Sequence, residues 1–315
     1  MLVGLIGSDR LYKIQKPLES VGITCVAITS IREILTRRFD VIIVDIAGFR
    51  ILLGWVNKIL YGGIIVYRAR GDFTKEVNFF KKLTISLIVK NTCDAIIFVS
   101  HYLKKRFFEE NIIVKHMEVI EIPKNVEKYY SKIKINNSQR NPNFIIVTLT
   151  NFDYFNKIEI LTRYLKPVNT FLSEIGGKWC VAGKGKYVEY FKKKSESFES
   201  VEYVGFVDPQ NLLSKAKIML HLSELEGLPN AVLEGMAARL PVIVNDYEPM
   251  RKIDHTIVVR NEEELIYWLR RLYKNPAIRK KYGILSNNLV GKKYSVQRIG
   301  IKFRLFFNEL VNHNW

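Results

Sequence analysis

Short runs rich in valine and isoleucine alternate with amphipathic stretches along most of the chain. Apolar runs of this length without polar alternation are typical of strands buried on both faces, and the stretches between them have helical spacing. The pattern predicts strands over residues 2–6, 23–29, 41–46, 63–68, 95–100, 117–123, 144–150, 178–181, 201–204, 218–222, 242–245 and 256–259. It predicts helices over residues 33–39, 49–60, 74–89, 102–111, 262–273, 278–288 and 296–312.

Two such series are present, and the polar run 132–143 between them predicts a linker. A chain of 315 residues is long enough for two domains. We therefore predict an α/β fold with two Rossmann-like parallel-sheet domains, over 1–135 and 136–295, facing each other across a cleft. A C-terminal helix is expected within 296–315. Its apolar positions indicate core or interdomain packing, including packing back on the first domain, with a membrane-facing helix as the alternative.

The chain is strongly basic, with 49 lysines and arginines against 31 aspartates and glutamates and a net charge of +18. This balance favours a polyanionic partner such as an anionic membrane surface, a phosphorylated substrate or a nucleic acid, although solubility alone is a sufficient reason for it. No arginine-aromatic recognition motif is present, so we expect no specific nucleic-acid binding.

The cellular compartment is inferred from targeting, membrane and cysteine patterns that the sequence lacks. No run of about 18 apolar residues predicts a transmembrane helix, and the first residues resemble a strand more than a signal peptide. The three cysteines are widely spaced, which is neither a disulfide framework nor a zinc pattern. We expect a cytoplasmic protein, with peripheral attachment at the inner membrane face as an option.

The stretch HLSELEGLPNAVLEGMAARLPVIV, residues 221–244, is the most informative for chemistry. Glu226 lies in a predicted glycine loop and Glu234 in the helix that follows, with Gly227 suited to a position near an N-cap and Pro229 suited to N1. A helix N-terminus favours phosphate, and flanking carboxylates favour hydroxyl groups, so the pair suggests a nucleotide sugar. The alternative is that Glu234 complements the helix dipole and Glu226 is solvated.

Other candidate positions are less specific. Gly183 and Gly185 follow a strand and allow close approach to a ligand, although a simple turn is favoured. Arg68 and Arg70 end a strand of the first domain and suit an anionic group, as do Gly7 and Ser8 at the end of the first strand; a surface ion pair of the arginines with Asp72 or Glu76 is the alternative.

Several cofactor classes are disfavoured. Residues 4–7 lack the GxGxxG order of dinucleotide-binding proteins. No DxD pair occurs, which argues against a metal-bridged diphosphate, so no metal and no cofactor are expected. His221 lies in the strand before the glutamate loop and is more simply interpreted as a core histidine than as a ligand-binding one.

The order of short motifs between residues 201 and 242 resembles a known family. Residues 201–207 (VEYVGFV), 223–229 (SELEGLP), 234–237 (EGMA) and 241–242 (PV) match, in order and spacing, the motifs of family 4 (group 1) retaining glycosyltransferases of the GT-B fold. Weaker similarity covers most of the remaining chain. The resemblance implies an acceptor-binding first domain and a donor-binding second domain.

The resemblance also implies roles for individual residues. Glu226 would bind hydroxyls of the transferred sugar, and Lys157 would neutralise the diphosphate leaving group. Glu234 would bind the ribose, and Phe206 or Val207 the base. The full donor-binding set is Asn151, Gly183, Gly185, Phe206, Val207, Gly227, Leu228, Pro229, Asn230 and Glu234, and the acceptor or phosphate set is Gly7, Ser8, Arg68 and Arg70.

The implied activity is hexosyl transfer from a UDP- or GDP-sugar to a hydroxyl of a glycan or lipid-linked acceptor, with retention, by front-face attack and without a metal. Four departures from the family pattern are present: Asn151 replaces an arginine, Arg239 replaces a glycine, Arg68 or Arg70 replaces a histidine, and residues 246–249 (DYEP) replace a glycine pair. The departures at Asn151 and Arg70 keep open an alternative, a non-catalytic module of the same fold that binds a sugar nucleotide or polyanion.

Overall fold

The computed structural model describes residues 1–7, 12–45, 48–72, 77–127, 129, 144–224 and 226–312. The chain divides into two compact units, Met1–Pro123 with Tyr294–Trp315, and Lys124–Lys293. The predicted linker 132–143 and the predicted boundary between residues 135 and 136 lie outside the described residues. Within the described ranges, no helix combines the length and the apolar character that crossing a bilayer requires.

The first unit is built on a six-stranded sheet with the order β2-β1-β3-β4-β5-β6, in which every described pairing is parallel. β3, β4 and β5 are buried at every position, and β3 and β5 are apolar throughout, as expected for strands covered on both faces. The strands are β1 (Leu2–Ile6), β2 (Thr24–Ala27), β3 (Val41–Val44), β4 (Ile64–Ala69), β5 (Ala95–Phe98) and β6 (His116–Val119).

Helices alternate with these strands: α1 (Tyr12–Glu19), α2 (Ile31–Thr36), α3 (Arg50–Tyr61), α4 (Phe79–Thr92) and α5 (His101–Glu109). Side chains cap the starts of three of them. Ser30 and Glu33 form a capping box at α2, and Asn78 and Ser100 accept backbone N–H groups at the starts of α4 and α5.

The second unit repeats the design with a six-stranded sheet of order β12-β11-β10-β7-β8-β9, again parallel in every described pairing. Its strands are β7 (Ile145–Asn151), β8 (Lys178–Lys184), β9 (Val201–Tyr203), β10 (Ile218–His221), β11 (Val242–Asn245) and β12 (Ile257–Val259). Its helices are α6 (Phe155–Arg163), α7 (Leu165–Ile175), α8 (Val188–Ser195), α9 (Pro209–Leu213), α10 (Asn230–Ala237), α11 (Glu248–Arg251), α12 (Glu262–Lys274) and α13 (Pro276–Tyr294).

The last helix, α14 (Val296–Asn312), belongs to the first unit and packs beside α1. Its backbone comes so close that a Cβ atom on Gly300 would lie 2.2 Å from the carbonyl oxygen of Pro17. The apolar positions at helical spacing are all buried, and they are Ile299, Phe303, Phe306, Phe307 and Leu310. These side chains form core, as the core-packing interpretation predicts, and they do not form a membrane-facing surface.

Each predicted strand has a counterpart, so the fold of two parallel α/β sheets is confirmed, and the differences lie at the ends. The predicted strand 178–181 continues to Lys184 because Gly183 and Lys184 pair with Thr150 and Asn151 of β7. Pro229 precedes α10 as its N-cap, with an extended ψ of 108°, and is not the first helical residue that the sequence predicted.

The glycine at the end of β8 is required by close backbone packing. Gly183 has φ 156°, and a Cβ atom there would lie 2.0 Å from the carbonyl oxygen of Thr150. We expect Gly183→Ala to lower the free energy of unfolding by at least about 2 kcal/mol, because backbone must shift to admit the methyl group. Gly205→Ala is the matched control, since Gly205 also has positive φ (79°) but meets nothing within 4 Å, and it should cost about 1 kcal/mol. Urea unfolding measures the loss in free energy of unfolding for both variants, and equal losses would contradict this account.

Candidate functional site

Glu226 is the centre of a buried polar cluster in the loop between β10 and α10. Lys157, in the first turn of α6, places its Nζ 2.5 Å from Glu226 Oε1. His221 Nε2 lies 3.5 Å from the same oxygen, and Ser223 Oγ donates to it at 3.4 Å. The backbone N–H of Ser223 is in turn held by Asn245 Oδ1 at 2.8 Å. The two residues predicted to be catalytic are therefore in direct contact.

The environment of Glu226 fixes its charge. Burial raises the pKa of the carboxyl, but the contact with His221 and the charge of Lys157 outweigh burial and lower the pKa from 4.5 to about 2. The group is therefore ionised at neutral pH and can only accept hydrogen bonds. Such a carboxylate suits the binding of hydroxyl groups and does not suit general acid catalysis.

This pKa shift predicts an acid-dependent loss of stability. Because the folded-state pKa is below the unfolded one, the contribution of Glu226 is present above pH 4.5 and is lost as the pH falls towards about 2. The wild type should therefore lose on the order of 3 kcal/mol across this window relative to Glu226→Gln, which does not titrate. Urea unfolding of both proteins between about pH 6 and pH 2.5 measures the difference, and parallel pH profiles would contradict it.

His221 is buried, with 3% of its surface exposed, and neither of its ring nitrogens has a hydrogen-bond partner. A buried imidazole normally satisfies at least one nitrogen, because leaving both unpaired has a desolvation cost. His221 is thus more than the satisfied core histidine that the sequence favoured. Its Nε2 faces the oxygen of Glu226 that Lys157 also contacts.

Glu234 belongs to a second buried ion pair one turn into α10. Lys124 Nζ donates to Glu234 Oε1 at 3.0 Å and also to Asn230 Oδ1. Asn230 Nδ2 donates to the same Glu234 oxygen at 2.6 Å, as residues four apart on a helix can. Burial lowers the pKa of Lys124, while the charge of Glu234 opposes that shift. Glu234 is therefore neither solvated nor held by the helix dipole alone.

The backbone from Gly227 to Pro229 connects the two ion pairs. These three residues are buried, and the following helix begins at Asn230. No side chain caps the start of that helix. Its first backbone N–H groups have no acceptor within the helix and would point towards a ligand bound in front of it. The result is a helix N-terminus with one lysine–glutamate pair at the loop before it and a second pair one turn into the helix. This arrangement is suited to a phosphate group carried by a polyhydroxyl compound.

The predicted nucleotide side of the site lies where β7 and β8 end. Gly185 has φ 146°, and a Cβ atom there would lie 2.4 Å from the backbone of Phe152 and Asp153, so this glycine, like Gly183, is required by the crossing of two chain segments. Asn151 Oδ1 accepts the backbone N–H of Asp153 at 3.1 Å. The residue that replaces the family arginine thus shapes the loop.

Phe206 and Val207 follow β9 at the same edge of the sheet. Phe206 is 70% exposed, and Lys184 Nζ lies 4.5 Å from the centre of its ring, whereas Val207 is half-buried. An exposed aromatic ring beside a cation is available to a planar ligand. A cavity of about 360 Å³ in this unit is lined by Ile160, Arg163, Tyr164, Glu224, Asn245, Asp246, Arg260 and Glu262.

In the first unit, two arginines share one buried carboxylate at the ends of β3 and β4. Arg68 Nη1 lies 3.1 Å from Asp45 Oδ1, and Arg70 Nη1 contacts Asp45 Oδ2. Burial lowers the pKa of Arg68 to about 10, against the effect of Asp45, and its Nε has no hydrogen-bond partner. Asp45 was not among the partners expected from the sequence, which were Asp72 and Glu76. The ion pair is buried, whereas the expected alternative was an ion pair on the surface. Gly7 accepts a hydrogen bond from Arg50 Nη1 at 3.3 Å, and Ser8 lies outside the described residues.

Side chains that bind metals or undergo redox chemistry do not cluster in the described part of the chain. Among the residues that the structure describes, no group of three or more His, Cys, Asp or Glu side chains could hold a metal ion together. Cys25, Cys93 and Cys180 are free thiols, and burial raises the pKa of each.

Comparison with known proteins relates the segment that contains this site to a family. Residues 143–275, which contain both ion pairs except Lys124, match the family model of group 1 glycosyl transferases. This segment of the chain is similar to the group 1 glycosyl transferases. Over 281 residues it is 25% identical to ORF31 of a virus isolated in Victoria, Australia, a protein whose name proposes a glycosyltransferase, and the match covers 87% of each chain.

Solved structures extend the likeness in fold to the whole length of the chain. The crystal structure of Anabaena HepE in complex with UDP and glucose has a TM-score of 0.81 at 13% identity, and the match covers 98% of this chain and 99% of that one. Sucrose-phosphate synthase from Thermosynechococcus elongatus has a TM-score of 0.77 at 13% identity, over 99% and 100% of the two chains. The predicted GT-B fold class is thereby confirmed.

Most donor-site residues predicted in the glycosyltransferase domain lie at the carboxyl edge of its sheet, as the sequence implied.

Three residues of the polar clusters in the two units were missed or undervalued in the sequence. Asp45 interrupts an otherwise apolar strand, which was a usable signal. His221 was assigned to the core, and Lys124 had no signal because its partner Glu234 is 110 positions away.

Proposed function

We propose that this glycosyltransferase is a retaining enzyme that transfers a hexose from a UDP- or GDP-sugar to a hydroxyl of a glycan or lipid-linked acceptor, without a metal. The observation that carries the proposal is the contact of Lys157 with ionised Glu226 beside the open N-terminus of α10. A cation for the leaving group and a carboxylate for sugar hydroxyls lie at one helix start. The Anabaena HepE structures, which are complexes with UDP and glucose and with UDP-glucose, support the choice of donor.

The charges of the site suggest how the donor would bind. With no donor, the charge of Lys157 is balanced by Glu226, and that of Lys124 by Glu234. A sugar that donates its hydroxyls to Glu226 would free Lys157 to face the diphosphate, and the ribose would do the same for Glu234. The diphosphate would then receive Lys157 and the N–H groups of α10, which stabilise the charge that develops as the sugar departs.

The reaction itself would depend on positioning and on leaving-group charge. Glu226 has no proton to give at neutral pH, so a proton from the acceptor hydroxyl would pass to the departing diphosphate oxygen as the new glycosidic bond forms on the same face. This front-face route gives retention. Nuclear magnetic resonance of the product formed from an α-linked donor tests it, because an α-linked product is expected and a β-linked product would contradict it.

The first unit would hold the acceptor, with Arg68, Arg70, Gly7 and Ser8 as the candidate residues. Arg68 and Arg70 both contact Asp45, which places two guanidinium groups at the carboxyl ends of β3 and β4. Guanidinium groups favour an acceptor carrying phosphate or carboxylate.

A thermal-shift screen of UDP- and GDP-sugars tests the proposed donor. One donor should raise the melting temperature by an amount that grows with its concentration, and its nucleoside diphosphate should do so more weakly. If no sugar nucleotide shifts the melting temperature at millimolar concentration, the donor assignment is wrong.

The competing function is a non-catalytic module that binds the same ligands. Its supporting observation is Asn151, which lacks the charge of the family arginine and is engaged in its own loop. A pure binder would show the thermal shift but would release no nucleoside diphosphate, so a release assay on the stabilising donor separates the two functions.

A further inference from the structure

We propose that the first unit binds anionic membranes through the outer surface of α2, α3 and α4. This surface exposes large apolar side chains, which we call the apolar face: Ile31, Leu35, Trp55, Ile59, Leu60, Phe79, Phe80, Leu83 and Leu87. Phe79 and Phe80 are 69% and 78% exposed. Soluble monomers rarely leave so many large apolar side chains exposed together, and such patches mark interaction sites.

The three helices form one layer. Asn57 of α3 donates from Nδ2 to the carbonyl oxygens of Ile34 and Arg37 at 2.6 and 2.8 Å, which fixes the end of α2 against α3. α3 in turn contacts α4. Gly54 lies against Ile42 and Ile65 of the sheet. The residues directed away from the sheet therefore share one solvent-facing side.

The spacing of the exposed residues shows that the apolar face is a property of each helix. In α4, Ile85 and Val89 are buried, whereas Phe79, Leu83 and Leu87, at intervals of four, are exposed. In α3, Trp55 and Ile59 are likewise four apart and exposed. α4 thus has apolar residues on its buried side and also on its exposed side, whereas an ordinary surface helix is polar on the exposed side.

The charges on the same helices identify the partner. These helices carry one carboxylate, Glu33, and it is engaged in the capping box of α2. The same three helices carry six cations, Arg32, Arg50, Lys58, Lys81, Lys82 and Lys90. Two of these are paired with carboxylates outside the helices, Lys58 with Asp94 and Lys82 with Glu110. Exposed aromatic and aliphatic groups on helices with an excess of lysine and arginine match an anionic lipid surface, where rings enter the headgroup region and cations contact phosphates. A second copy of this chain would bring the same excess of positive charge to the interface, which disfavours a symmetric dimer.

The membrane contact differs from the one that the sequence left open. The alternative had been the apolar positions of α14, and these are core. α4 was predicted only as a helix, and its exposed residues could not be told from buried ones, because its apolar positions cover most of its circumference. The proposal does not rest on sugar transfer, since the apolar face contains none of the donor-site residues.

Flotation with lipid vesicles tests the proposal. The protein should float with vesicles of phosphatidylcholine and phosphatidylglycerol, and less with phosphatidylcholine alone or in high salt. Phe79→Ser/Phe80→Ser and Lys81→Glu/Lys90→Glu should each weaken binding to the anionic vesicles about tenfold or more. The matched control is Ile301→Ser/Leu305→Ser, which removes two exposed apolar residues from α14 of the same unit and should bind as the wild type does.

Two further measurements make the result decisive. Tryptophan fluorescence should shift to the blue on adding anionic vesicles, and Trp55→Phe should remove most of that shift. Circular dichroism melting establishes that each variant is folded. Equal binding by the Phe79→Ser/Phe80→Ser variant, or no binding of the wild type to anionic vesicles, would overturn the proposal. A wild-type dimer that Phe79→Ser/Phe80→Ser converts to a monomer would also overturn it.

Discussion

Glu226→Gln is expected to lower sugar transfer, measured as kcat/KM for the donor, about 100-fold or more while leaving the fold intact. The amide keeps the shape of the side chain and can still accept from Lys157, but it has no negative charge to hold sugar hydroxyls. Charged hydrogen bonds are the strong ones, and their loss at the transferred group falls on the transition state. The same substitution should leave binding of free UDP or GDP unweakened, because Lys157 would no longer be neutralised by a carboxylate.

Glu224→Gln is the matched control for this experiment. Glu224 lies two residues earlier in the same loop, carries the same charge and is exposed. Its amide variant should transfer sugar like the wild type. If the two variants had equal activity, Glu226 would have no special role, and if Glu226→Gln lost nucleotide binding together with transfer, it would not be specific for the sugar.

Lys157→Met is expected to lower kcat about 100- to 1,000-fold and to weaken binding of the free nucleoside diphosphate. Methionine fills a similar volume and is compatible with a helix, so α6 should remain folded. Without this cation, the negative charge on the departing diphosphate would no longer be neutralised. The substitution also removes a charge that lowers the pKa of Glu226, so the acid-dependent loss of stability should become smaller.

Lys166→Met is the corresponding control. Lys166 is an exposed lysine of α7, nine positions along the chain, and its removal changes the net charge equally. Transfer and nucleotide binding should be unchanged in this variant. A similar loss in both lysine variants would mean that overall charge, and not the position of Lys157, determines activity.

The sequence predicts the strands well because a strand buried on both faces must be apolar at every position. Val41–Val44 and Ala95–Phe98 show this directly. It predicts Glu226 and Glu234 through motif order, since both lie in short segments whose spacing is tied to one strand-loop-helix unit. It predicts Lys157 through the weaker resemblance of residues 144–157. It also predicts that the apolar stripe of α14 is buried.

The residues that escape prediction are those whose environment comes from distant parts of the chain. Lys124 meets Glu234 from 110 positions away, and Arg68 meets Asp45 across two strands. In the same way, whether an apolar side chain is buried depends on which other parts of the chain pack against it. Phe79 and Phe107 are both phenylalanines in helices of the first unit, yet Phe79 is exposed and Phe107 is fully buried.

Release of nucleoside diphosphate from the stabilising sugar nucleotide tests the central claim most directly. We expect the wild type, Glu224→Gln and Lys166→Met to release it at similar rates in the presence of acceptor, and Glu226→Gln and Lys157→Met to release it at least about 100 times more slowly. No release by the wild type from a donor that it binds, or equal release by all five proteins, would contradict the assignment of transfer to the Lys157–Glu226 site.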